Sequence, residues 1–149
     1  MSSLRTVRRR GSPPSPPDAG AALRDRSARA SMSLDAVLAV TGLGGGIYMA
    51  THPQTMMPLE FLEGSPFESW LLPGVALIVV NGIWPACALL LTWRRHRLAP
   101  LAQCAVGASL LGWLMIQIPL VGYATMFQVP YTALAVCLIA LNVRHVKTW

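Results

Sequence analysis

Ionisable side chains are nearly missing from the interior of this chain. Asp, Glu, Lys and Arg make up 12% of its 149 residues, and apart from Asp35 none falls inside the four long apolar stretches that occupy most of the sequence. An ionisable residue at membrane depth is the usual mark of an ion path or proton relay. Its scarcity argues against an ion-coupled pump or a carrier of charged substrates. Asp35 stands close to the end of the first stretch, where the sequence places it in reach of water or of a neighbouring arginine.

Cysteine is scarce as well. Cys87, Cys104 and Cys137 are odd in number and far apart, and each lies inside an apolar stretch, so they suggest neither a C-x-x-C redox pair nor a disulfide framework. A quinone-linked thiol oxidoreductase would lack its working cysteines, and the three thiols read as buried packing residues. His52 lies at one end of the apolar stretches, and His96 and His145 at the other, which leaves no pair to clamp a haem. No catalytic motif is present, and the chain reads as a non-enzyme without a cofactor. Met49, His52, Met56 and Met57 do lie together, and soft sulfur with imidazole suits Cu(I). A methionine-lined interface accounts for the same residues, and no metal site is assigned.

What is abundant is apolar length. Residues 34–52, 70–93, 99–121 and 125–143 each approach or exceed the roughly 20 residues that cross a hydrocarbon core of about 30 Å. Pro100 marks the start of the third segment, and Gly122, with Pro119 and Pro130 nearby, separates the third from the fourth as a tight hairpin. The fold class predicted is all-α, a four-helix transmembrane bundle over residues 33–149. Residues 1–32 precede it as a disordered basic tail of Arg, Ser, Pro and Ala, with too little apolar surface to offset ordering entropy. Trp70, Trp93, Tyr123, Tyr131 and Trp149 fall near predicted span ends as an aromatic belt, whereas Trp84 and Trp113 lie deeper and read as packing residues.

Charge sets the orientation. All twelve Lys and Arg residues lie in the tail, in 94–97 or in 144–147. Four spans bring these three places to one face, and positive charge is retained in the cytoplasm, so both termini are predicted inside and residues 53–69 outside. The tail arginines suit an acidic lipid surface better than nucleic acid, because a span follows at once. One lysine against eleven arginines, with abundant Ala, Gly and Pro, points to a GC-rich bacterial genome and hence to a bacterial plasma membrane.

The outer loop is the sizeable polar interruption between the first two spans. Ser65-Pro66-Phe67-Glu68 has the order that starts a helix: a hydroxyl cap, a proline at the first helical position and a carboxylate at the third. A helix is therefore predicted from Pro66. Pro58 to Glu63 forms one or two turns ended by Gly64, with Leu59, Phe61 and Leu62 dipping into the interface. Pro73-Gly74 is predicted to kink the second span by freeing the Ser69 carbonyl.

The stretch LEGSPFESWLLPGVALIVVNG resembles a family of small uncharacterised four-span membrane proteins of high-GC bacteria, which share an L-x-G-[ST]-P-F outer loop, a Pro-Gly entry and a Gly-rich second span. The matching positions are Leu62, Gly64, Ser65, Pro66, Phe67, Pro73, Gly74 and Gly82, with Glu68 in the same loop; Asn81 stands where the pattern has a second small residue. The resemblance implies four spans over residues 33–146 and carries no activity.

Uncharged polar groups remain inside the spans. Asn81 lies near the centre of span two, Gln117 in the outer half of span three, and Gln103 and Asn142 near the inner ends. Gln103, Gly107, Leu110, Leu114 and Gln117 share one helical face, and buried amides need partners, so they read first as contacts between helices. Gly42 and Gly46 form a G-x-x-x-G pair that lets another helix approach closely. The sharper alternative gathers Asn81 and Gln117 beside Gly42 and Gly46 into a site for a small neutral or lipid-like ligand. The chain as a whole reads as a non-catalytic accessory or structural component engaging membrane lipids, another membrane protein or a second copy of itself. A small transporter or ligand-binding bundle is the alternative. A filled core and an exposed glycine stripe favour the first, and a cavity reaching Asn81 and Gln117 from the outside favours the second.

Overall fold

A computed structural model describes residues 19–54, 58–63, 66–121 and 125–146. They form four helices with no strand among them: α1 (Ala19–Thr51), α2 (Leu71–Trp93), α3 (Ala99–Val121) and α4 (Thr125–Val146). Each is long and apolar enough to cross a membrane. The all-α bundle expected from hydropathy is what the chain builds.

Two apolar clusters hold it together. Leu38 of α1, Ala88 of α2, Val106 and Leu110 of α3, and Ala135 and Leu138 of α4 meet in a buried core to which every helix contributes. Nearer the outer loop, Met49, Leu62 and Trp70 form a second cluster with Phe67 against it. Large apolar side chains such as Val40, Val79, Met115 and Val136 are exposed on the flanks. A helix apolar on all sides is what a hydrocarbon solvent requires, because its outer face meets lipid tails instead of water.

Helix α1 begins well before the expected Leu34. The stretch from Ala19 to Met32, expected to belong to the tail, is helical; the part of the tail before residue 19 lies outside the described residues. Ala and Arg are strong helix formers, and a helix already nucleated by the span extends at the cost of propagation alone. Low apolar content, the ground for expecting disorder, bears on burial and not on helicity. At 33 residues α1 is about 50 Å long, well beyond a hydrocarbon core of about 30 Å, so its first turns project from the basic end.

Helix α2 starts later than expected, at Leu71 and not at Pro66. Residues 66–69 run as bends, Glu68 is exposed, and Trp70 caps the helix without a side-chain hydrogen bond. Ser65, the other half of the expected capping box, and Gly64 lie outside the described residues. The Trp70 amide donates to the Pro53 carbonyl at 3.2 Å, which ties the chain across the end of α1 before the helix begins. Leu59–Leu62 is a single 3₁₀ turn, in keeping with the short turn expected in the loop.

The late start also moves the irregularity in α2. Pro73 now sits in the first turn, where an amide has no intrahelical partner to lose, and the expected kink at Pro73-Gly74 gives way to a π turn at Ile78–Ile83. Within it the Trp84 amide reaches back to Val79. Buried Pro85 follows directly, with no N–H to offer the Asn81 carbonyl four residues before it.

Two expectations of side-chain environment reverse. Cys87 and Cys137 are exposed on the flanks and Cys104 is half-buried, so the thiols do not pack as a buried set. Trp84, expected to pack inside, is exposed, while Trp70, expected in the aromatic belt, is buried. Hydropathy assigns depth along a span; which face a side chain takes depends on rotation about the axis, and the π turn changes that rotation halfway along α2.

Candidate functional site

The residues singled out in the sequence fall at two levels, and a third polar level emerges from the packing. At the outer rim, Leu62, Phe67 and Pro73 join Met49, Trp113 and Gln117 around a cavity of about 390 Å³. Leu72, Val75 and Ile116 also line it and are themselves exposed on the flanks, so the cavity opens between α2 and α3 towards lipid. Its wall is apolar apart from the amide of Gln117 and the indole N–H groups of Trp70 and Trp113. Gln117 is half-buried, and Trp70 is 3% exposed with its indole Nε1–H lacking a partner among the described residues. A buried donor left unbonded costs about 1–3 kcal/mol, and this one belongs to a residue of the pocket wall. Pro66 and Glu68 are exposed beside this rim and do not line the pocket.

At mid-depth the glycines act as a contact between helices. A Cβ at Gly42 would run into the Asn81 carbonyl, and one at Gly46 would meet Ile78 Cγ1 at 2.6 Å and the Gly74 carbonyl at 2.8 Å. At the reciprocal position, a Cβ on Gly74 would meet the Ala50 amide nitrogen at 2.9 Å. Two backbones approach here so closely that no other residue fits. The stripe is therefore filled by α2 of the same chain and is not an exposed surface. Asn81 is buried against it, with its Oδ1 unpartnered among the described residues. Asn81 and Gln117 consequently belong to different places: Asn81 to the α1–α2 contact and Gln117 to the outer pocket.

Nearer the basic end lies a polar layer. Gln103 on α3 donates from Nε2 to Asp35 Oδ2 on α1 and, at 2.9 Å, to Thr92 Oγ1 on α2, which in turn donates to the Ala88 carbonyl. Beside it Asn142 on α4 donates from Nδ2 to Ser31 Oγ at 2.8 Å and to the Leu138 carbonyl at 2.9 Å. Ser31 and Asp35 have no exposed surface and Gln103 has 1%. This corrects the expectation that Asp35 reaches water or an arginine: it is enclosed by the bundle, and the ion pair among the described residues joins Arg95 and Asp25 instead. Of the expected amide face of α3, Gln103, Gly107, Leu110 and Leu114 are buried, while Gln117 is half-buried and lines the outer pocket.

Ser31, Asp35 and Thr92 escape a reading based on depth alone, although the sequence carries a signal for two of them. Ser31, Asp35, Leu38, Gly42, Gly46 and Met49 recur at helical spacing and are all buried. Extending the glycine stripe backwards places Asp35 inside the bundle. Met49 points into the outer cluster, while His52 is exposed and stacks on Tyr48 with ring centroids 4.6 Å apart. They do not share a site, and Met56 and Met57 lie outside the described residues. No family model, curated protein or solved structure matches this chain.

Proposed function

We propose that this four-span membrane protein is a non-catalytic component of a bacterial plasma membrane, with both termini cytoplasmic, that engages lipid through its outer rim. The reading rests on one observation: an apolar pocket that opens towards lipid is walled in part by Trp70, whose indole N–H is buried and unbonded among the described residues. Acyl chains are the apolar molecules at highest concentration around such an opening, and the ester carbonyl of a lipid supplies the acceptor that Trp70 lacks. The outer-loop resemblance to small four-span proteins of high-GC bacteria supports the membrane assignment, since Leu62, Phe67 and Pro73 are among the lining residues.

The test is recovery of lipid by native mass spectrometry, with quenching of tryptophan fluorescence by phospholipids brominated near the carbonyl. Trp70→Phe keeps an aromatic ring and removes the donor, and Ala76→Leu, at another lining residue, narrows the pocket; both are expected to lower lipid recovery in a protein that still folds, and Ala76→Leu, which leaves the tryptophans in place, to lower quenching as well. Unchanged lipid recovery in both variants would reduce the loop to a connector.

The buried carboxyl of Asp35 supports a second reading, a small transporter whose path passes the inner polar layer. Asp35→Cys that reacts with impermeant thiol reagents from each face in turn would favour it; protection from both faces would favour the lipid-engaging role.

A further inference from the structure

At the basic end the four helices surround a cavity of about 850 Å³ that is separate from the outer rim. Its chemistry is one-sided. Arg24 and Arg29 come from the projecting turns of α1, Arg95 and His96 from the connection between α2 and α3, and His145 from the last turn of α4. Thr92 and Asn142 of the polar layer also line it. Their donors are spent within the protein, Thr92 Oγ1 on Ala88 and Asn142 Nδ2 on Ser31 and Leu138.

One carboxylate, Asp25, lines the cavity, and it pairs with Arg95 at 3.6 Å in an exposed ion pair. Arg29 spends its Nε on the Asp25 carbonyl at 3.3 Å, which fixes the side chain without neutralising it. No carboxylate among the described residues pairs with Arg24 or Arg29. His96 accepts the Leu98 amide at Nδ1, 3.2 Å away, which leaves Nε2 as its donor. Ser27 and His145 lie 3.3 Å apart and join α1 to α4 across the same space. Two guanidinium groups of α1 and one of the α2–α3 connection line this concave site, and the planar guanidinium fork donates two hydrogen bonds side by side to two oxygens of a tetrahedral phosphate. A purely topogenic cluster of arginines needs no such concavity; its charges need only lie on the correct side of the membrane.

We propose that this cavity binds a phosphate-bearing anion, held chiefly by Arg24 and Arg29 with Arg95 at its edge. Two sources share that chemistry, the headgroup of an anionic phospholipid and free inorganic phosphate. The full chain, in a zwitterionic detergent, is titrated calorimetrically with short-chain phosphatidylglycerol and, separately, with inorganic phosphate. Arg24→Gln with Arg29→Gln is expected to weaken binding by at least about tenfold, the scale of one lost charge-assisted hydrogen bond. Arg26→Gln with Arg94→Gln removes the same charge from positions that do not line the cavity and should change affinity by less than about twofold, because a charge without direct contact acts on the ligand only at longer range, where salt screens it. Arg24→Lys with Arg29→Lys, which keeps the charge, serves if the glutamine pair does not fold, and should retain binding while losing part of the affinity to bidentate geometry. Binding of lipid alone identifies a headgroup as the ligand, and binding of phosphate alone or of both identifies the phosphate group itself. Binding of neither, or equal weakening by the cavity and control pairs, overturns the proposal.

Discussion

Gln103 on α3 donates a hydrogen bond to Asp35 on α1 in a position closed to solvent. The same amide nitrogen reaches Thr92 on α2, so one side chain links three helices. Gln103→Leu removes both bonds and leaves a buried carboxyl without its donor. An expected loss of about 1–3 kcal/mol follows from the cost of an orphaned buried polar group, with the lower part of that range favoured in membranes, where unfolded helices also find partners. Asp35→Asn keeps an oxygen to accept from Gln103 and removes the possibility of a buried charge, so it should cost less than Gln103→Leu or stabilise the fold. Denaturant midpoints in mixed micelles compare the two. A larger loss for Asp35→Asn than for Gln103→Leu would show that the carboxylate has a cationic partner.

The glycine run of α1 predicts a sharp positional contrast. Gly42 and Gly46 face α2 backbone at distances no Cβ tolerates, whereas a Cβ at Gly44 would have nothing within 4 Å. Gly42→Ala and Gly46→Ala should each separate α1 from α2 and cost about 1–3 kcal/mol, the scale of overpacking. Gly44→Ala should be neutral or stabilise by up to about 1 kcal/mol through helix propensity. The same micelle unfolding assay decides the matter, and three equal effects would mean that the stripe does not form the contact.

Much of this architecture is legible in the sequence. Four apolar runs, the buried face of α3 and the close approach at Gly42 and Gly46 all follow from length and periodicity. What is not legible has a physical cause in each case. Composition puts the start of α1 too late because low apolar content resembles disorder, although Ala and Arg propagate a helix that a span has nucleated. A local capping pattern at Ser65 to Glu68 puts the start of α2 too early, while a tertiary bond from Trp70 to Pro53 and burial of the Trp70 ring decide where the helix begins. Depth without face puts Asp35 at water. Its partner Gln103 is 68 positions away, beyond the reach of any local pattern.

The two prolines of α2 should behave differently. Pro73 occupies the first turn, so Pro73→Ala restores no interior hydrogen bond and should change stability by less than about 1 kcal/mol, mainly through the unfolded chain. Pro85→Ala supplies an N–H to compete for the Asn81 carbonyl and favours a regular helix in place of the π turn at Ile78–Ile83. Trp84, exposed and adjacent to Pro85, should then change its quenching by lipids brominated at mid-chain. Quenching altered by Pro73→Ala but not by Pro85→Ala would return the irregularity to the entry of the span.

Orientation is the prediction on which the two proposed sites both bear. Every Arg among the described residues lies at one end of the bundle, and retention of positive charge in the cytoplasm places the basic cavity inside and the outer pocket on the opposite face. Glu60 and His96 are exposed at these two ends. In a background with Cys87, Cys104 and Cys137 replaced by alanine, Glu60→Cys should react with an impermeant maleimide in intact cells, and His96→Cys only after permeabilisation. Two of the native thiols are exposed on the lipid-facing flanks, so their removal should leave the core intact and the protein level unchanged. The reverse pattern of labelling would put the basic cavity outside. Its ligand would then be sought among outer-leaflet headgroups and external phosphate, and the apolar pocket would open into the cytoplasmic leaflet.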